Sequence, residues 1–245
     1  MGNTKLIFKT KMLAYSFAIV LSLWIVFWAE LEFNLKLHKF GVFPQTLGGL
    51  KGILFSPFIH GDIKHLSNNS IPLFILLLSL FYFYEKISWK VLLWGALLTG
   101  LLTWVLGRPA YHIGASGIVY MLVSFLFFKG VFSKQISLLA VSFLIVFLYG
   151  SLIWYVFPID PLISWEGHLS GLIVGFLFSI IFKKKLVEKK KYEWEKEDFN
   201  PEDDLFLQHF DEDGNFIENK DEILEDEENP PIIKYFYKRN KEEEK

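Results

Sequence analysis

Long apolar stretches separated by short polar connections dominate the first three quarters of the chain. Most of them reach the length of roughly 17–25 residues that a helix needs to cross the hydrocarbon core of a bilayer. The apolar runs predict an all-α, polytopic membrane protein with six transmembrane helices. The candidate spans are 12–29, 65–84, 91–106, 111–128, 135–157 and 165–182. Six spans place both termini on one side of the membrane.

The distribution of lysines predicts which side that is. On the presumed inner side, the segments that flank the spans carry lysines at positions 5, 9, 11, 86, 90, 129, 134, 183, 184 and 185. The outer connections after the third and fifth spans contain one basic residue, Arg108. The first outer connection, with Lys36, Lys39, Lys51 and Lys64, is an exception. By the positive-inside rule, both termini are predicted to be cytoplasmic.

The first apolar run follows three lysines and lacks a small-residue cleavage site, so it is predicted to be a retained helix rather than a cleaved signal peptide. A chain rich in lysine and phenylalanine suits a bacterial inner membrane.

The net charge of −2 conceals a strong asymmetry. Residues 1–187 carry 15 Lys and Arg against 6 Asp and Glu, a net +9, whereas residues 188–245 carry 10 against 21, a net −11. We predict a transmembrane domain over 1–187 and an acidic, largely disordered cytoplasmic tail over 188–245. Residues 205–217 alternate enough for a hairpin around Asp213-Gly214-Asn215, but disorder is favoured. The tail could dock a partner or regulate access.

The chain contains no cysteine, which excludes disulfides, thiolate catalysis and cysteine metal sites. His60 and His65 are five residues apart, off the spacing that places two imidazoles on one helical face, and only Asp62 could support them. We therefore predict no metal site. We also predict no cofactor and no nucleic-acid partner.

Unusual polar residues occur at the outer ends of three spans. Because helix directions alternate, the second, fourth and sixth spans all begin at the outer face. These beginnings carry His65 and Asn69, then Ser116, then His168. An ionisable group within an apolar span is costly, so it indicates a functional site.

Spacing within the spans strengthens this interpretation. His168, Gly171 and Gly175 share one helical face, which places the imidazole on a stripe of small residues. Gly114 and Gly117 flank Ser116, and Tyr120 lies one turn after it. If these two faces meet, a hydrogen bond between serine and histidine becomes geometrically reasonable.

Each residue also has a purely structural interpretation. Glycines at four-residue spacing usually serve helix packing, and membrane serines usually bond back to a carbonyl one turn earlier. Tyr120 could be a core residue, and His65 could face the headgroups. Headgroup contact is the favoured interpretation for His60 and His112, and solvation is favoured for Asp160 and Glu166.

As a set, these motifs resemble the rhomboid family of intramembrane serine proteases. The matching elements are HGDIKHLSNN with His60, His65 and Asn69, then GASG at 114–117 followed by Tyr120, and GHLSGLIVG at 167–175. The resemblance implies a six-helix bundle with a serine and histidine dyad that cleaves single-span membrane proteins near the outer face. By position, Ser116 is the nucleophile and His168 the general base. His65 and Asn69 would donate to the oxyanion, Tyr120 would pack on His168, and His60 would lie near the cavity.

Three features depart from the family pattern. The first outer loop lacks the usual Trp-Arg pair, Pro72 lies inside the second span, and His112 is a position that the motif does not specify. None of these departures removes a catalytic group. Because a fold does not guarantee activity, one alternative is a catalytically inactive relative that binds membrane proteins. Because intramembrane histidines can mark proton paths, the other is a small transporter that uses the polar cavity.

Overall fold

The computed structural model describes residues 10–133, 136–160, 163–182, 194, 199–200, 204, 206–210 and 214–216. The chain divides into two compact units, Met1–Lys184 and Lys185–Lys245. The predicted domain boundary at 187–188 lies outside the described residues.

The first unit is helical. Its described residues contain seven α-helices, not six, and no extended strand. The additional helix has four residues and lies between the first and second predicted spans, in the loop that the sequence predicts to be the first outer loop. The apolar runs there are too short to predict a span. The helices are α1 Thr10–Glu32, α2 Gly52–Phe55, α3 Ile63–Phe83, α4 Ser88–Leu106, α5 Ser116–Phe132, α6 Ile136–Tyr149 and α7 Trp165–Ile181.

Three of these helices, α1, α3 and α4, are long and apolar enough to cross a membrane. The helices α5, α6 and α7 are apolar but shorter. Large apolar side chains point outward on several of them, including Phe17, Trp28, Leu93 and Phe147. Such surfaces are stable against lipid rather than water, and the chain is an integral membrane protein.

The fourth and fifth spans differ from their predicted bounds. The predicted span 111–128 begins as a helix only at Ser116, because Gly114 has a φ of +101° that no right-handed helix contains. The predicted span 135–157 is α-helical only as far as Tyr149 and continues as a 3₁₀ helix, Gly150–Val156. By contrast, α3 runs through Pro72 without interruption.

Helix α5 is the centre of the bundle and contacts α3, α4, α6 and α7. Its buried residues Met121, Leu122 and Phe125 join a core with leucines of α3 such as Leu76 and Leu80. Of the two remaining helices, α1 packs on α3 and the short α2 packs on α4. Because α5 is held by four neighbouring helices, the position of its first residue, Ser116, is fixed relative to them.

Among the described helices, α5 and α7 share the most extensive contact. A Cβ atom at Gly171 would overlap the carbonyl oxygen of Gly117, and one at Gly175 would overlap the carbonyl oxygen of Met121. The glycines of α7 therefore allow its backbone to lie directly against that of α5.

Main-chain hydrogen bonds connect two loops at one end of the bundle. In the first loop, Val42 forms an isolated antiparallel bridge with His112, with hydrogen bonds of 2.9 and 2.8 Å. The Gly114 amide donates to the carbonyl of Ser56 at 2.8 Å. The loop before α5 is thus anchored to the first outer loop by main-chain bonds.

In the second unit, an antiparallel bridge joins Phe210 and Phe216. Both residues lie within 205–217, the segment whose alternation would allow a hairpin. Asp213 and most of the acidic tail, for which disorder is predicted, lie outside the described residues.

Replacing Gly175 by alanine is expected to lower the free energy of unfolding by roughly 1–3 kcal/mol, since the added methyl group forces α5 and α7 apart. Thermal unfolding of the purified protein in detergent, followed by circular dichroism, measures this. Gly48→Ala is the matched control, because a Cβ there has no atom within 4 Å. Equal Tm values for the two variants would contradict the packing described above.

Candidate active site

The α5 side of the site is built by a sharp turn. Gly114 adopts the left-handed conformation, Ala115 is buried behind it, and Ser116 begins the helix. Ser116 is therefore the first residue of α5 and directly follows the turn. Its side chain is only partly buried, so the hydroxyl is accessible from the loops.

The α7 side begins with a capped helix. The Ser164 hydroxyl accepts a hydrogen bond from the Gly167 amide at 3.3 Å, which fixes where α7 starts. His168 follows in the first turn and is buried. Because the glycine stripe brings α7 against α5, His168 Nε2 lies 2.9 Å from Ser116 Oγ.

The other ring nitrogen of His168 determines the direction of that bond. Nδ1 lies 2.9 Å from the main-chain carbonyl oxygen of Tyr155, in the 3₁₀ helix that follows α6. A carbonyl oxygen can only accept, so Nδ1 carries the proton in the neutral ring. Nε2 is then the unprotonated nitrogen, and Ser116 donates its hydroxyl proton to it.

Tyr120 holds the imidazole from its face. The two rings are stacked, with centroids 4.1 Å apart and planes inclined by 10°. Tyr120 lies one turn after Ser116 on the same helix and is itself buried. The plane of the His168 ring is therefore set by α5, the helix that also carries the serine.

His65 and Asn69 reach the same turn from α3. A Cβ atom at Gly114 would lie 2.7 Å from His65 Nε2 and 3.6 Å from Asn69 Nδ2, so both polar groups face the backbone two residues before Ser116. Asn69 Nδ2 also donates to the His65 carbonyl at 3.1 Å, which fixes the orientation of the amide. The absence of a side chain at Gly114 leaves room for both groups.

His60 does not face the headgroups as the sequence suggested. It is buried, and its ring packs on that of His65 with centroids 5.0 Å apart. Burial is the main cause that lowers the pKa of His60 to about 4, so the ring is neutral at pH 7. This loop histidine supports the position of His65 from behind.

A cleft opens beside Ser116 between α4, the first outer loop and the start of α5. Its lining includes Thr99 and Thr103 of α4, Ser56 and Pro57 of the first loop, and Gly117. The Thr103 hydroxyl bonds back to the Thr99 carbonyl at 2.8 Å. The Thr99 hydroxyl is buried and has no hydrogen-bond partner among the described residues, which makes it a hydrogen-bonding position for a water molecule or a substrate atom.

Two further predictions about surface residues are wrong. Glu166 is not solvated; it is buried and forms an ion pair with Arg108. His112 does not face the headgroups; it is buried between Arg108 and Ser164. Sequence spacing gives no signal for the contacts of Glu166 with Arg108 and of His112 with Ser164, because the partners are 58 and 52 residues apart. Although Glu166 is two residues from His168, its carboxylate points to Arg108.

Within the ranges that the structure describes, no group of three or more His, Asp or Glu side chains is arranged to hold a metal ion. Asp62, the carboxylate nearest to His60 and His65 in the sequence, instead caps α3 by accepting the His65 amide at 2.7 Å.

Comparison with known proteins assigns this arrangement to a family. The family model for the rhomboid domain matches residues 48–185, a range that holds every residue of the site. The chain therefore belongs to the rhomboid family.

Individual relatives are similar over part of their length. Uncharacterized proteins of Mycobacterium bovis and Mycobacterium tuberculosis are each 32% identical over 151 residues, which cover 57% of this chain and 62% of the relative. An uncharacterized protein of Mycobacterium leprae is 32% identical over 137 residues, covering 51% of this chain and 53% of that protein. The chain thus spans less than two thirds of these curated relatives.

Replacing Gly114 by alanine is expected to destabilise the protein by roughly 1–3 kcal/mol, because a left-handed alanine is strained and its methyl group would displace the His65 ring. The measurement is the Tm in detergent. Gly61→Ala serves as the matched loop control, since a Cβ there meets no atom within 4 Å. A Gly114→Ala protein as stable as the control would show that the turn is not constrained in this way.

Proposed function

We propose that this rhomboid-family protein is an intramembrane serine endopeptidase that hydrolyses peptide bonds of membrane proteins. The observation that carries the proposal is the 2.9 Å contact between Ser116 Oγ and the nitrogen of His168 that is left unprotonated by the Tyr155 carbonyl. A serine hydroxyl is a weak nucleophile at neutral pH unless a neighbouring base takes its proton, and this imidazole is placed to do so.

The reaction proceeds in two halves. In the first, His168 Nε2 takes the hydroxyl proton while Ser116 Oγ attacks the scissile carbonyl, and the same nitrogen then gives the proton to the leaving amine. The product is an acyl-enzyme. In the second half, His168 takes a proton from water, the resulting hydroxide attacks the ester, and the proton returns to Ser116 as the acid is released.

Negative charge on the carbonyl oxygen requires donors that are already in position. Asn69 Nδ2, a ring nitrogen of His65 and the Ser116 amide are assigned this role, because the first two face Gly114 at the turn that presents the serine. A donor of this kind contributes about 3 kcal/mol to stabilisation of the transition state.

We assign the orientation of the base to groups other than a carboxylate. The Tyr155 carbonyl selects the tautomer of His168, and the Tyr120 ring holds its plane. A dyad without an orienting acid is expected to turn over more slowly than a triad, because the acid also stabilises the imidazolium.

The cleft beside Ser116 offers space for substrate and for the water of the second half-reaction. The unpartnered hydroxyl of Thr99 would bind one of them. A polar cleft is needed because water is scarce at membrane depth.

The remaining assignments follow from the sequence. We propose six transmembrane spans, with α2 confined to the first outer loop, and both termini on the cytoplasmic side of a bacterial inner membrane. The transmembrane domain comprises 1–187 and the acidic tail 188–245. The substrates are single-span membrane proteins cut near the outer face, and segments that unwind easily are preferred because the dyad must reach an extended strand.

Ser116→Ala is expected to reduce cleavage of a single-span substrate in proteoliposomes by at least about a thousandfold, and to abolish labelling by a fluorophosphonate probe. The matched control is Ser79→Ala, whose hydroxyl bonds to the Ile75 carbonyl of its own helix. Cleavage by the Ser116→Ala protein would end the proposal. A folded wild-type protein that neither cleaves nor reacts with the probe would favour an inactive relative.

Asn69→Ala is expected to lower kcat about a hundredfold or more while KM changes little, because the lost donor acts on charge that exists only in the transition state. Cleavage rates over a range of substrate densities in the membrane separate the two parameters. A rise in KM with unchanged kcat would instead assign Asn69 to substrate binding.

A further inference from the structure

Four polar side chains form a connected group beside the dyad. Arg108 and His112 belong to the loop between α4 and α5, and Ser164 and Glu166 belong to the start of α7. We call Arg108, His112, Ser164 and Glu166 the loop clamp. None of its members is required by the chemical steps above.

The first half of the clamp is an ion pair. Arg108 Nη1 lies 3.3 and 3.4 Å from the two carboxylate oxygens of Glu166, and the Arg108 amide donates to the nearer one at 3.3 Å. Arg108 Nη2 also donates to the Ile163 carbonyl at 3.0 Å. The Glu166 side chain is 2% exposed and that of Arg108 35% exposed, so the carboxylate is held in one position with little water around it.

The second half is a chain of hydrogen bonds with a defined direction. His112 Nε2 lies 3.1 Å from the Arg108 carbonyl oxygen, which can only accept, so this nitrogen is protonated. Burial lowers the pKa of His112, which favours the neutral ring, and Nδ1 therefore accepts from the Ser164 hydroxyl at 2.5 Å. Ser164 in turn accepts from the Gly167 amide.

The clamp connects the two helices that carry the dyad. His112 is four residues before Ser116, Ser164 is four residues before His168, and Glu166 is two residues before it. The main-chain bridge between His112 and Val42 anchors the same loop to the first outer loop. A shift of either loop would therefore change the separation of Ser116 Oγ and His168 Nε2.

Stability is a poor explanation for such a pair. The free energy needed to remove a carboxylate from water offsets much of its attraction to a guanidinium. A protein with well-packed apolar residues in place of a buried ion pair is therefore often as stable. What an ion pair with additional directional bonds provides is a single allowed geometry.

We propose that Arg108, His112, Ser164 and Glu166 are positioning residues that hold the Ser116 and His168 side chains at reactive distance. The proposal rests on the proposed protease function, because its readout is the rate of the step that the dyad performs.

Glu166→Gln removes the charge and keeps the size of the side chain. It is expected to lower kcat by about 10- to 100-fold and to leave KM within about twofold of wild type, because a misplacement of less than an ångström slows the chemical step without altering substrate binding. Fluorophosphonate labelling of Ser116 should slow by a similar factor. Arg108→Gln should have a similar effect, and the double variant should be no slower than either single variant, because the pair acts as a unit.

The matched control is Glu85→Gln. Glu85 forms an ion pair with Lys11 at 2.8 Å in which both side chains are about half exposed. This variant removes the same charge from a pair that lies just beyond the C-terminal end of α3, whereas His65 lies at its N-terminal end, and kcat should stay within about twofold of wild type.

A second pair of variants tests the clamp without changing its charge. Ser164→Ala removes the hydroxyl that donates to His112, and kcat should fall about tenfold. Ser164→Thr keeps a hydroxyl at the same atom and should restore kcat to within about threefold of wild type. Comparison of the Tm values identifies any variant that has lost its fold, in which case the other clamp variants decide the question.

The outcomes distinguish this proposal from the proposed function. If Ser116→Ala still cleaves substrate, the protease assignment fails, and the positioning role fails with it. If Ser116→Ala is inactive but Glu166→Gln and Ser164→Ala keep wild-type kcat and labelling rates, only the positioning role fails. A loss that appears equally in KM, or equally in Glu85→Gln, also contradicts it.

Discussion

The approach of α7 to the backbone of α5 is the constraint on which the site depends. Gly171 and Gly175 let carbonyl oxygens of α5 occupy the space that side chains would fill. Because both helices are rigid, this contact fixes the depth and facing of every residue that they carry. Ser116 and His168 meet where both helices begin, and the Tyr120 ring stacks on the imidazole one turn further along α5.

Polar groups near the dyad fall into two separate systems. One consists of His60, His65 and Asn69, which converge on the turn at Gly114. The other consists of Arg108, His112, Ser164 and Glu166, which connect the loop before α5 to the start of α7. Glu166, the acidic residue of the second system, forms an ion pair with Arg108. His168, two residues further along α7, instead contacts Ser116 and the Tyr155 carbonyl.

Much of the helical framework followed from the sequence, because long apolar runs and helix parity are local and strong signals. They predicted the apolar helices, and they pointed to Ser116 and His168, whose side chains lie 2.9 Å apart in the structure. The four-residue helix α2, the late start of α5 and the 3₁₀ continuation after Tyr149 depend on tertiary packing and were not foreseen. The burial of Glu166 was missed for another reason: its partner, Arg108, is 58 residues away, and charge at a helix start usually indicates solvent.

The bond from His168 to the Tyr155 carbonyl has a consequence for how the protein can vary. Its acceptor is a main-chain atom, so almost any amino acid at that position can supply it as long as the 3₁₀ turn persists. Alanine scanning of this segment would leave the oxygen in place and report it as dispensable. For this bond, the course of the main chain through the 3₁₀ turn matters more than the side chain at position 155.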